Sequence, residues 1–245
     1  MPYPVAAVRG KNYGGGLSAY ETKVNSYSPI AYWPLKESGG SVAYDISGNS
    51  RNGSYTGVTL GQTGIGDGNT APLFDGTNDY VNIYSAGFAG AFSGAAGTVS
   101  YWAKVYDVGT WDNATISHHF TIYSDADNMV RCYKNNVANQ VRWYYYANTA
   151  SENYIGTPGP STAWIHYAIS WSKAANDITY YIAGTEDSDD AGLDTWDGVG
   201  LDSDRTLIGA YDSSPLTNPF YGYIAHFAVF NSQLTPANVA ILAAV

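Results

Sequence analysis

The sequence predicts an all-β fold, a two-sheet antiparallel sandwich preceded by a short N-terminal arm and helix, and three observations carry that reading. Short runs rich in Tyr, Trp, Val, Ile and Thr recur from residue 30 to the end, many of them alternating apolar and polar. Clusters of Gly, Asn, Asp and Ser punctuate those runs, in a chain that contains 27 Gly. No strand–helix–strand alternation and no internal repeat occurs, which leaves sheet packed on sheet. A length of 245 residues is ordinary for one such domain. The expected organisation is an arm with a short helix over 1–29 and a sandwich over 30–245.

Each element has its local reason. The first residues hold Pro2, Pro4 and the run Gly14-Gly15-Gly16, an arm without regular structure in which Tyr3, Val5, Val8, Arg9 and Tyr13 are the candidate docking residues. Leu17, Tyr20, Val24 and Tyr27 recur at helical spacing behind Ser18, a capping residue, and predict a helix over 18–27 that ends before Pro29. Strands are expected at 30–35, 53–58, 79–84, 97–106, 116–124, 128–134, 140–147, 163–172, 177–184, 205–210 and 221–231. The tail over 235–242 reads as helix, with Pro236 in the first turn, where proline is tolerated.

Side chains alternate across a strand, so the clean alternations assign faces. Ile116, His118, Phe120 and Ile122 fall opposite Ser117, His119, Thr121 and Tyr123. Val141, Trp143 and Tyr145 oppose Arg142, Tyr144 and Tyr146, while Val130 and Cys132 oppose Arg131 and Tyr133. Ile178, Tyr180 and Ile182 oppose Thr179 and Tyr181. If these strands share a sheet, its solvent face carries His119, Tyr123, Arg131, Tyr133, Arg142, Tyr144, Tyr146 and Tyr181. Tyrosines beside arginines suit binding, because Tyr offers a flat ring and a hydroxyl. Trp111 and Tyr211 add aromatic candidates in turn-rich segments.

Charge narrows the partners. The chain carries 11 Lys+Arg against 21 Asp+Glu, a formal net charge of −10, which disfavours nucleic acid and anionic membrane. One cysteine, Cys132, excludes an internal disulfide and a cysteine zinc site. No apolar run approaches the roughly 20 residues of a membrane span. The first residues lack a basic segment followed by an apolar core, so no secretory signal is expected.

Several segments resemble the concanavalin A-like lectin/glucanase superfamily, in its laminin-G-like branch. Ala31-Tyr32-Trp33-Pro34-Leu35-Lys36-Glu37 is similar to the opening strand of that family. Asp45-Ile46-Ser47-Gly48-Asn49 with Asn52-Gly53 resembles its first turn, and Phe74-Asp75-Gly76-Thr77-Asn78-Asp79-Tyr80-Val81 its hairpin. Trp164-Ile165-His166-Tyr167-Ala168 and Phe220-Tyr221-Gly222-Tyr223-Ile224 through Leu234-Thr235-Pro236 resemble later strands. The resemblance implies a curved jelly roll. Relatives often carry an acidic pair after the closing Gly-x-Ile that helps bind calcium, whereas this chain has Ala225 and His226. No cofactor is therefore expected, with Asp45, Asp75 and Asp79 as weak calcium candidates.

Enzymatic chemistry is not expected. Glucanases of this fold place carboxylates on alternate strand residues about 5–5.5 Å apart. The nearest pattern, Glu186, Ser188 and Asp190, sits in a segment without strand formers and reads as a solvated acidic loop. Ser188 to Trp196 resembles a sialidase Asp-box with one residue inserted, a structural motif. His118, His119, His166 and His226 fall in no nucleophile or metal spacing. Standalone laminin-G-like domains with such an arm resemble virion components of tailed phages. That resemblance implies a non-enzymatic decoration protein on the virion surface, docked on capsid or neighbouring subunits and homo-oligomeric. The alternative is a carbohydrate-binding adhesin or receptor-binding module with a glycan partner. A glycoside hydrolase ranks last.

Overall fold

The computed structural model describes residues 16–159 and 161–245. The candidate docking residues Tyr3, Val5, Val8, Arg9 and Tyr13 lie outside the described residues. Two antiparallel sheets of eight strands each pack face to face as a jelly-roll sandwich. The first sheet runs Thr185–Asp190, Asp177–Ile182, Ile165–Ser172, Ala96–Val105, Tyr221–Phe230, Thr70–Asp75 and Thr59–Thr63, with Ala31–Trp33 paired to residues 227–229. The second runs Ala150–Gly156, Val141–Ala147, Asn128–Lys134, Ser117–Asp125, Leu207–Ile208, Tyr80–Asn82, Gly53–Thr56 and Val42–Ala43.

Each strand expected from the sequence is present, with ends shifted by a few residues, and so are the helices Ala19–Asn25 and Pro236–Leu242. Other strands carry weak local signals. Thr70–Asp75 contains Pro72, which cannot donate to a ladder, and Thr59–Thr63 contains Gly61. Thr185–Asp190, expected as a loop, is the edge strand beside Asp177–Ile182. Its exposed carboxylates give that edge the charge that discourages pairing with another chain.

The core lies between the sheets. Tyr101, Tyr167, Ile169, Trp171 and Phe227 from the first sheet meet Phe120, Ile122, Cys132, Trp143 and Tyr145 from the second. Fully buried aromatic rings remove about 150–250 Å² each from water, roughly 4–6 kcal/mol apiece at about 25 cal/mol per Å². Their polar tips find partners: the Gly94 carbonyl accepts from the Tyr145 hydroxyl at 2.7 Å and from Trp171 Nε1 at 2.9 Å.

The outer face of the first sheet is partly covered by the two terminal helices. Ser18 and Glu21 form a reciprocal capping box that starts the N-terminal helix. Tyr20 and Val24 from that helix, and Val239 and Leu242 from the C-terminal one, pack on Tyr32, Trp102, Ala168, Tyr181, Ala225 and Ala228. The Tyr20 hydroxyl donates to the Leu242 carbonyl at 2.6 Å and accepts from Trp102 Nε1 at 2.7 Å. Buried Glu21 pairs with Lys36 at 2.6 Å. His226 occupies a bulge with φ 54°, which turns its ring under the helix, where Nδ1 lies 2.6 Å from the Tyr32 hydroxyl. Among the described residues no helix is long and apolar enough to cross a membrane.

Candidate binding face

The outer face of the second sheet is built from rows of cross-strand neighbours. Arg131 lies opposite Tyr144, Tyr133 opposite Arg142, and Met129 opposite Tyr146. The next strand adds Asn153, Ile155 and Ser151 to those rows, and the strand on the other side adds Thr121, His118 and Tyr123. Direct cross-strand neighbours stand about 4.5–5.5 Å apart at Cβ, close enough for long side chains to interlock.

They interlock as alternating cations and rings. The Arg131 guanidinium lies 4.6 Å from the Tyr144 ring centre, 5.3 Å from that of Tyr211 and 5.5 Å from that of Tyr133. Arg142 also lies 4.6 Å from the Tyr144 centre, and its Nη2 donates to Asn153 Oδ1 at 2.7 Å. Tyr133 and Tyr144 run nearly parallel, 6.1 Å apart. Arg205 stands 4.8 Å over Tyr123 and is held by Asp212 at 2.6 Å. Three of the chain's five arginines thus meet on one face of an acidic protein. Burial pushes the Tyr133 hydroxyl upward, reinforced by Tyr144 and opposed by both arginines. The Tyr123 hydroxyl is likewise raised by burial, with Arg205 opposing.

Tyr123, Arg131, Tyr133, Arg142, Tyr144 and Tyr146 are therefore gathered as the alternation predicts. Two predicted members are not. His119 points into the core, because a bulge between His118 and Phe120 inserts a residue and reverses the side of its neighbours. Its Nδ1 lies 3.0 Å from the Tyr101 hydroxyl, and burial lowers its pKa to about 3. His118 takes the outer place, between the rings of Tyr133 at 4.8 Å and Tyr211 at 5.0 Å. Tyr181 belongs to the first sheet and is buried beneath the terminal helices. Tyr211 does reach the face, whereas Trp111 is buried with its Nε1 donating to the Ser161 carbonyl at 2.6 Å.

The sequence reading passed over His118 and Arg205. A second aromatic group was also missed: Tyr106 stacks on Tyr221 at 4.4 Å, and Lys104 lies 4.3 Å over Tyr223 and 5.2 Å over Trp164. The alternation of Trp102, Lys104 and Tyr106 with Tyr221 and Tyr223 was the available signal.

The calcium candidates serve their own turns. Asp45 accepts from the backbone of Tyr32, Ser47 and Arg51, Asp75 from Thr77 and Asn78, and Asp79 from Asp75. Among the described residues no three His, Cys, Asp or Glu side chains gather as a metal site would require. His226, after the closing Gly-x-Ile where the resemblance leads one to expect an acidic residue, is bonded to Tyr32 and Asp67.

Burial shifts the titration of the cysteine and of two histidines that the sequence offered as chemical candidates. The Cys132 thiol is pushed far up, and His118 and His166 are pushed down, His166 to about 3. His166 Nε2 bonds Ser100 Oγ at 2.8 Å inside the fold. Glu186 and Asp190 stand on the exposed edge strand of the other sheet, away from the tyrosines and arginines. The face presents guanidinium groups backed by aromatic rings.

The Laminin_G_3 family model, described as concanavalin A-like lectin/glucanases superfamily, matches residues 46–240. Comparison with curated proteins gave no match. Among solved structures, the botulinum neurotoxin serotype D binding domain superposes with TM-score 0.65 at 16% identity, over 90% of this chain and 52% of that one. The serotype D ligand binding domain in complex with N-acetylneuraminic acid gives TM-score 0.66 at 16% identity, over 92% and 52%. The chain spans about half the length of these toxin domains. Domain 4 of AbnA, a GH43 extracellular arabinanase from Geobacillus stearothermophilus, in complex with arabinotriose, gives TM-score 0.64 at 19% identity, over 89% of this chain and 98% of that domain. At these identities the likeness is one of fold.

Proposed function

The chain belongs to the concanavalin A-like lectin/glucanase superfamily, and from that premise we propose that it is a non-enzymatic carbohydrate-binding module whose binding surface is the tyrosine–arginine face of the second sheet. The observation that carries the reading is the convergence of Tyr123, Tyr133, Tyr144, Tyr146 and Tyr211 with Arg131, Arg142 and Arg205 on one outer face, with Tyr123 and Tyr133 buried beneath the others. Its polar hydroxyls and guanidinium groups match the acceptor-rich edges of sugars. Two domains of the same fold are described with a sugar bound, which supports the class of ligand. A broad glycan array tests it. Binding to a defined glycan that Tyr144→Ala abolishes is expected; an array with no binding would sink the reading.

A second reading, attachment to a phage virion through residues 1–16, draws support from the anchoring of the Ala19–Asn25 helix. That helix gives any preceding docking segment a fixed root on the sandwich. Deletion of residues 2–16 is expected to abolish copurification with particles while leaving thermal stability unchanged. Association that survives the deletion removes the docking role.

A further inference from the structure

We propose that the ligand of this face is a carboxylate-bearing glycan gripped by Arg131 and Arg142, an inference that rests on the carbohydrate-binding reading above. A neutral sugar ring is ordinarily held by stacking on a bare aromatic face. Here that room is taken: Tyr144 carries guanidinium groups at 4.6 Å from both Arg131 and Arg142, and Tyr133 lies against His118 at 4.8 Å. The tyrosines act as positioning residues that orient two cations, and the cations meet the ligand.

Those cations lack an acidic partner within the described chain. Among the described residues Arg205 is matched to Asp212, whereas neither Arg131 nor Arg142 is matched to a carboxylate. This holds in a chain with 21 acidic residues. The Nε atoms of both arginines are buried without a hydrogen-bond partner, and so are both ring nitrogens of His118, a side chain only 2% exposed. These nitrogens are closed to solvent, so a ligand from outside is met by the guanidinium Nη nitrogens rather than by Nε. A planar carboxylate fits a planar guanidinium through two parallel bonds, which a neutral hydroxyl cannot reproduce.

Uronic and sialic acids share this chemistry, and matched pairs separate it from general sugar binding. Calorimetry on the full chain would compare sialyllactose with lactose, and trigalacturonate with its methyl ester. The acidic member of at least one pair is expected to bind roughly 10-fold tighter or more, with the advantage shrinking as salt is raised. Arg131→Gln and Arg142→Gln are each expected to remove that advantage with little change in melting temperature. Arg131→Lys restores only part of it, because an ammonium keeps the charge but loses the fork. Equal affinity for acidic and neutral partners, or an advantage that persists in the double Gln variant, overturns the inference and leaves the glycan reading standing. No binding of any pair, together with a blank array, overturns both.

Discussion

Nε2 of His226 stands 3.3 Å from Oδ2 of Asp67, with both side chains almost completely buried where the N-terminal helix meets the first sheet. Burial by itself would raise the Asp67 pKa, yet the bonds from His226 and Asn69 bring it down to about 2. A carboxylate whose folded pKa lies below its unfolded value stabilises the fold above about pH 4 and loses that contribution as pH falls toward 2. Thermal melting followed from pH 6 to pH 2 is expected to drop through this window, and Asp67→Asn is expected to flatten the drop. A pH profile that Asp67→Asn leaves unchanged would refute the role of the pair.

The Tyr20 hydroxyl bridges the two terminal helices and the first sheet through Leu242 and Trp102. Tyr20→Phe keeps the ring and leaves the Trp102 N–H and the Leu242 carbonyl unpaired. A loss of about 1–3 kcal/mol in denaturant unfolding is expected. Loss below about 0.5 kcal/mol would mean that the bridge is replaced by solvent.

His119 fills a core site between Tyr101, Tyr167 and Phe220. His119→Ala leaves a cavity and an orphaned Tyr101 hydroxyl, with an expected cost of about 2–5 kcal/mol. Cys132, buried beside it, is expected to resist a thiol reagent in the native protein and to react once unfolded. Rapid native labelling would contradict the packing.

Glu152 is raised in pKa by burial and by the neighbouring carboxyl of Asp190. The folded state therefore binds its proton more readily than the unfolded state does, and stability falls as pH rises through this group. Glu152→Gln is expected to raise the melting temperature at pH 7 and to make little difference at pH 3. Destabilisation at pH 7 would indicate a favourable role for the charge.

Much of the fold was legible because strand periodicity is local. Val141, Trp143 and Tyr145 against Arg142, Tyr144 and Tyr146 sort themselves between core and surface with no knowledge of neighbours. The Ser18–Glu21 capping box and the Thr235 cap with Pro236 likewise announce their helices within a few residues. Thr185–Asp190 shows the limit: its acidic composition reads as loop, and only pairing to Asp177–Ile182 makes it a strand.

The sequence by itself determined the two-sheet class, the residues that alternate toward one side, and the supply of tyrosines and arginines for a face. Tertiary structure decided which strands share that face. It placed Tyr181 on the other sheet beneath the terminal helices, exchanged His119 for His118 through a single bulge, and brought Tyr211 and Arg205 in from distant loops. The physical reason is that a side chain period of two fixes sides within one strand, whereas strand order and bulges follow from contacts between residues far apart in the chain.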